Sequence, residues 1–464
     1  MNPSMHHGRA GGPHSDAPMP QLQLLSNGRY HVMLTRAGGG SSRWKDLSVT
    51  RWREDATCDP WGTFCYLRDV DSGHVWSTTL QPSRNWADSY QATFATGTAT
   101  FHRRDCEIET QTDIAVSADD DVELRRVRIS NGGNARRVLD VTSYTEVVLA
   151  PATTDAAHPA FNKLFVETEI LPEHQAILCT HRARAPDDPA PWMFHLLTMH
   201  EPFGSELTFE TDRMRFIGRG RSTAGPQALD VDARLSGSAG PVLDPVAAIR
   251  CRLTLDPGAG AIIDLVTGIA DTRDACMALI HKYHDRQAAD HVLIAAPANG
   301  GAILERLHVS EVEAGYYAHL ARSVIYVDAS LRADPAVLAL NRGGQSNLWA
   351  YGISGDLPIM LLRMADAANI ELARQLIQAH SYWRAHGVAA DLVIITEGSG
   401  GQEDALGLKI TAQVTVCGAI DRIDQPGGIF VRLGERVSEA DRILLQTVAR
   451  VVISDRDGSL GHQL

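Results

Sequence analysis

A chain of 464 residues exceeds the size at which a single hydrophobic core stops growing, so two or three domains are expected. Its 44% hydrophobic and 21% charged residues are those of an ordinary globular protein, and a net charge of −13 argues against nucleic acid or anionic membrane as partner. Seven cysteines with no CxxC pair argue against a disulfide framework or a structural zinc site and suit a reducing, cytoplasmic compartment.

Residues 1–21 lack the apolar run of a signal peptide and read as a disordered leader. No window offers the roughly eighteen consecutive apolar residues of a membrane span. Residues 22–270 carry short apolar runs separated by Gly, Asn, Asp and Pro, the pattern of an antiparallel β-sandwich. Tyr66–Val70 and His74–Thr78 flank Asp71-Ser72-Gly73, a tight hairpin signal. Val122–Ser130 and Arg137–Val148 flank Asn131-Gly132-Gly133-Asn134, and Leu253–Thr267 turns at Asp256-Pro257-Gly258; both read as further hairpins. The apolar phase moves from Val122 and Leu124 to Val127 and Ile129, which predicts a β-bulge near Arg125-Arg126.

Helical spacing begins near Asp271. Thr272 is placed to cap one helix, and Ser310 with Glu313 forms the capping-box pattern of another, so residues 271–330 read as a helical linker. Ile359–His386 reads as a third helix closed by Gly387, followed by a buried strand at Ala389–Thr396 and a break at Gly398–Gly401. Ser438 caps a last helix with Leu444, Leu445, Val448 and Val452 inward.

Two segments carry candidate chemistry. Ser41–Pro82 holds Trp44, Trp52, Trp61 and Trp76 among Arg and Asp residues, a mixture in which flat aromatic faces stack on sugar C–H surfaces and charged forks hold hydroxyls. Within it, strand alternation would put Arg51, Arg53 and Asp55 on one face and Trp52 and Glu54 on the other. Those residues read equally as an ion-paired strand end at a domain interface. The second segment, Gln345–Pro358, offers Trp349 and Tyr351 as stacking surfaces, Gly352 and Gly355 as flexible backbone, and Asp356 as a carboxylate. Asp356 also suits a helix-capping role in a Gly turn. His281 and His284 lack a third ligand at metal spacing, and Arg213, Arg215, Arg219 and Arg221 read as surface or interface charge. The chain contains no GxxxxGK[ST], HExxH or GxSxG motif.

Several longer blocks stand in order along the chain: LLSNGRYHVMLTRAGGGSSRW at Leu24–Trp44, DDDVELRRVRISN at Asp119–Asn131, LDVTSYTEVVLAP at Leu139–Pro151, HPAFNKLFVETEI at His158–Ile170, TDRMRFIGRGR at Thr211–Arg221 and NRGGQSNLWAYGISGDLPI at Asn341–Ile359. In these blocks the chain resembles glycoside hydrolase family 94, formerly glycosyltransferase family 36, and within it the N-terminal part of the phosphorylase-like region of cyclic β-1,2-glucan synthases. The resemblance implies a mainly β fold: a large antiparallel β-supersandwich of the galactose mutarotase-like kind, then a helical linker, then over 331–464 the truncated start of an (α/α)6 barrel. It assigns Asp356 to hydrogen-bonding sugar in a donor subsite; Ser354 and Gly355 stand where cellobiose-type members have an arginine. The barrel motif that bears the family's general acid is not found here, and an inverting phosphorylase still needs that one acid.

The resulting expectation is a carbohydrate-binding front portion of a larger β-glucan phosphorylase or synthase, not catalytic alone, with a β-glucan oligosaccharide as partner and no cofactor. The alternative is a phosphorylase or glycosyltransferase completed by a barrel polypeptide supplied in trans, with inorganic phosphate as co-substrate. A ligand-free structural remnant is a third reading.

Overall fold

The computed structural model describes residues 20–183, 190–200, 207–397 and 401–464. Two antiparallel sheets face each other across the largest core. Among the described residues one sheet has nine strands, with Arg137–Pro151 at its centre, and the other has eight, with Val122–Asn131 and Gly260–Ala270 adjacent. Tyr30, Val32, Trp44, Trp76, Val141 and Ile249 from the first meet Phe101, Ile114, Val127 and Ile263 from the second. This is the mainly β sandwich expected, and the short hairpin pairing Tyr66 with Ser77 and Arg68 with Val75 is present.

Two expected hairpins are corrected. Val122–Asn131 and Arg137–Pro151 lie in different sheets, as do Pro245–Leu255 and Gly260–Ala270. Both glycine-bearing turns therefore carry the chain across the sandwich rather than back along one sheet. The bulge at Arg125-Arg126 is also absent, since Val122–Asn131 pairs with both neighbours in unbroken register. The phase change has another origin, because this strand is buried on both sides. Val122 and Leu124 face outward under the helices Arg273–Tyr283 and Arg286–Arg306, while Val127 and Ile129 face the sandwich core. The inward positions before Val127 are held by Glu123 and Arg125, an ion pair buried in the core. Ser42 donates to the carboxylate and Arg125 donates to the Thr63 carbonyl, so the desolvated charges keep their partners.

The linker helices follow their local signals. Thr272 Oγ accepts from the Ala275 amide, and Ser310 and Glu313 complete a capping box at the start of Glu311–Ile325. Beyond them the chain departs from the expected opening of an all-helical barrel. Four parallel strands, Ile359–Met364, Asp391–Thr396, Ile429–Leu433 and Val451–Ser454, form a sheet. Numbered by their place in the chain they stand in spatial order third, second, first, fourth. The helices Ile370–Ala385 and Gly401–Val416 cover one face, and Glu439–Val448, capped by Ser438, covers the other. This is a doubly wound α/β arrangement. Ile359–Met364 reads as helix because an apolar run does not declare its own period, whereas strands buried on both faces are uniformly apolar. Asp366, capping a short turn through the Ala368 amide, separates this strand from the helix. Gly398, Ser399 and Gly400 of the expected break, and residues 1–19 of the leader, lie outside the described residues.

Sandwich and α/β unit share a core. Leu22, Leu24 and Met33 pack with Tyr317, Leu376, Trp383 and Leu392. Among the described residues no helix is long and apolar enough to cross a membrane.

Candidate functional site

The seam between the two units opens into a cavity of about 560 Å3. Its floor on the sandwich side comes from the strands Tyr30–Thr35, Gly40–Trp44 and Leu47–Thr50, and its roof from residues 356–358 and 386–389 at the start of the parallel strands. The volume lies within the range of small-ligand sites, and interdomain seams are frequent places for them. Trp52, Arg53 and Asp356, far apart in sequence, all line it.

Strand pairing ends at Thr50, so Arg51–Asp55 does not alternate as a strand. Arg51 turns inward, where its side chain is 2% exposed. It meets Glu146 at 2.5 Å and Asp155 at 3.3 Å, with Asp244 at 3.5 Å. Burial alone would raise the Glu146 carboxyl, but Arg51 and Arg213 hold it below its ordinary value. Arg51 is thus a support beneath the cavity and does not line it. Trp52 is held edge-on against Tyr326, with ring centroids 6.0 Å apart, and Tyr326 donates to Asp59. Glu54 pairs with Arg450 at 2.7 Å, and Arg450 also donates to the carbonyls of Val324 and Ile325. This clamp joins the sandwich loop to the linker helix and the last parallel strand.

Asp356 is exposed at the rim. One of its oxygens accepts from Gln345 Nε2 at 3.1 Å, and Gly355 before it adopts φ +77°. Behind it lies Asp391, fully buried, which accepts from the Gly427 amide through one oxygen while the other has no hydrogen-bond partner among the described residues. Burial first, and then the nearby Asp356 charge, push Asp391 up to about 6. Trp349 and Tyr351 are not brought to the cavity. Trp349 is exposed and donates to the Ser354 carbonyl, and Tyr351 donates to Asp441 on the far side of the turn. Of the other tryptophans expected near sugar, Trp44 and Trp76 are core residues, and Trp44 Nε1 donates to Asp121.

The cavity also holds groups that the residue pattern did not single out: His31, Arg43, His386 and Arg450. His31 sits in an apolar strand, where its period gives no hint of a site. Gly387 φ is +77°, and a Cβ there would lie 2.6 Å from His31 Cγ, so the close approach of the two units requires glycine. Gly387→Ala is expected to cost about 1–3 kcal/mol, read as a lowered denaturant midpoint at unchanged slope. An unaltered midpoint would show that the seam yields freely.

Among the described residues no group of three or more His, Cys, Asp or Glu is arranged to hold a metal ion. His284 Nε2 donates to the His174 carbonyl, and the His281 ring stands edge-on to His174. Arg213 joins the Glu146 network, and Arg221 pairs with Asp230.

The family described as "Glycosyl hydrolase 94, supersandwich domain" matches residues 11–286. The cyclic beta-(1,2)-glucan synthase NdvB of Rhizobium meliloti (strain 1021) is 36% identical over 374 residues, which are 81% of this chain and 13% of that protein. The N,N'-diacetylchitobiose phosphorylase of Vibrio proteolyticus is 25% identical over 260 residues, 55% of this chain and 31% of its own length. Solabiose phosphorylase of Paenibacillus borealis is 24% identical over 280 residues, 58% and 34% of the respective chains. The chain thus spans about a third or less of the length of these relatives.

Proposed function

The chain belongs to the glycosyl hydrolase 94 supersandwich family, and from that premise we propose that it binds a β-glucan oligosaccharide in the cavity between its sandwich and its α/β unit. The observation that carries this reading is the convergence of Trp52, Arg53 and Asp356 on one cleft of ligand size. An indole face, a guanidinium and a carboxylate are the complementary parts that a pyranose needs: a stacking surface, a donor and an acceptor. Arg53 lies 3.8 Å from Asp155 and is 45% exposed, so its guanidinium keeps donors to spare. Asp356 accepts from one glutamine and has capacity for sugar hydroxyls.

In this proposal the chain contributes recognition, and β-1,2-linked glucose is the preferred ligand because the match to the glucan synthase runs over 81% of this chain. No cofactor is invoked. Calorimetry with linear β-1,2-glucan tests it. Saturable binding is expected, weakened about tenfold in Asp356→Ala by the loss of a charge-assisted hydrogen bond. Trp52→Ala should weaken binding to a similar degree, since it removes the stacking face. A folded protein that binds no glucan overturns the proposal.

A further inference from the structure

His31, in the strand Tyr30–Thr35, and His386, at the end of the helix Ile370–Ala385, both line the cavity. They are neighbours, because Gly387, which follows His386, packs directly on the His31 ring. Their hydrogen bonds fix their tautomers. Ser26 donates its only hydroxyl proton to the Ala385 carbonyl at 2.6 Å, so it must accept from His31 Nδ1, 2.9 Å away. His386 Nδ1 lies 2.8 Å from the Tyr382 carbonyl, which can only accept. Each ring therefore carries its proton on Nδ1 and keeps a lone pair on Nε2. Neither Nε2 has a partner among the described residues, and neither is sealed from solvent.

Burial holds both rings neutral, with pKa values lowered to about 4. Arg43 adds to the depression at His31 and Arg306 at His386, while Asp121 acts the other way on His31. Arg43 itself donates to the Gly387 carbonyl at 3.0 Å. Two acceptors thus face the cleft where most of its other basic groups are donors.

We propose that His31 and His386 form a paired-acceptor clamp that takes the hydroxyl protons of a vicinal diol on one neutral pyranose unit. The clamp deepens the proposed glucan site and rests on it. Its ligand chemistry is discriminating. Internal units of a β-1,2-glucan keep adjacent hydroxyls on C3 and C4, and those of a β-1,4-glucan keep them on C2 and C3. Internal units of a β-1,3-glucan have no adjacent free hydroxyls. Long β-1,2 and β-1,4 chains should therefore be held through the clamp, whereas long β-1,3 chains should bind at least tenfold more weakly.

The test uses the full chain labelled with 15N-histidine, titrated with each glucan alongside calorimetry. With β-1,2-glucan, the Nε2 resonances of His31 and His386 should move upfield as their lone pairs accept hydrogen bonds, with the Nδ1 protons retained. His31→Phe and His386→Phe assign the signals, and each should weaken binding roughly three- to tenfold. Because the shift is read on the unsubstituted protein, a variant that fails to fold does not blunt the result. Glucan binding that leaves both resonances unmoved, or that is as strong for β-1,3 chains, overturns the clamp and leaves the glucan site standing. Absence of binding to every glucan overturns both.

Discussion

Replacing Arg51 with leucine is expected to lower the stability of the protein by about 3–5 kcal/mol. Its guanidinium is 2% exposed and serves Glu146 and Asp155 together, and both carboxylates are buried. Removing the cation strands Asp155, among the described residues, with only the 3.8 Å approach of Arg53, and leaves Glu146 to Arg213 and the Tyr144 hydroxyl. The cost arises from the uncompensated charges left behind more than from the intrinsic strength of the pair. Arg51→Lys should recover part of the loss, since a point charge reaches one carboxylate but cannot span two with a planar fork. Arg53→Ala, at the rim, should cost under about 1 kcal/mol. Urea unfolding of the three variants gives the order directly. If leucine at position 51 proved as benign as alanine at position 53, the network would not hold up the floor of the cavity.

That contrast between Arg51 and Arg53, with one residue between them, marks what the sequence could convey. It showed that Arg51–Asp55 was unusual, because charge and indole are interleaved there. It could not show which arginine is buried, since the chain leaves the sheet at Thr50 and the alternation that would have sorted the side chains stops. The carboxylate that selects Arg51 comes from the strand Arg137–Pro151. Local signals fared well where the physics is local: Thr272, Ser310 and Ser438 each cap the helix that follows, because a cap needs only its own next three residues. The antiparallel sandwich was legible for a similar reason, from its frequent turn residues and short apolar runs.

What failed required knowledge of neighbours. The double burial of Val122–Asn131 imitated a bulge, and the parallel strand Ile359–Met364 imitated a helix. The ligand-size cleft shows the same division. Trp52 and Asp356 stood out as residue types in suggestive company, but His31 and His386 become a pair only when the helix Ile370–Ala385 docks on the strand Tyr30–Thr35. A site made at a seam is written in two places, and neither half is distinctive alone.

Acidification below pH 6.5 should destabilise the fold well before the carboxylates as a class are protonated. Burial lowers His31, His380 and His386 to about 4 and His195 to about 3, against an ordinary value of 6.5. In the unfolded chain each takes up a proton near pH 6.5, while the folded chain refuses it until far lower pH. The unfolded state thus binds more protons through the window from 6.5 down to about 4, and stability falls with pH across it. Above pH 6.5 the contribution is fully present. Each histidine removes about 1.4 kcal/mol per pH unit inside the window, so together they reach several kcal/mol against a total of about 5–15. Asp391, raised to about 6, works in the opposite sense, because the folded state holds its proton; one such group offsets only one histidine. His195 offers the sharpest control. It spans the sandwich, within 2.9 Å of Thr267 Oγ1 on its own sheet and of Ser143 Oγ on the other, and glutamine can replace both hydrogen bonds without titrating. Melting temperatures should be level from pH 7.5 to 6.5 and then drop steeply toward 4.5, with a shallower drop in His195→Gln. A melting temperature constant to pH 4.5 would mean that the folded protein takes up protons on these imidazoles as readily as the unfolded chain, and that burial does not hold them neutral.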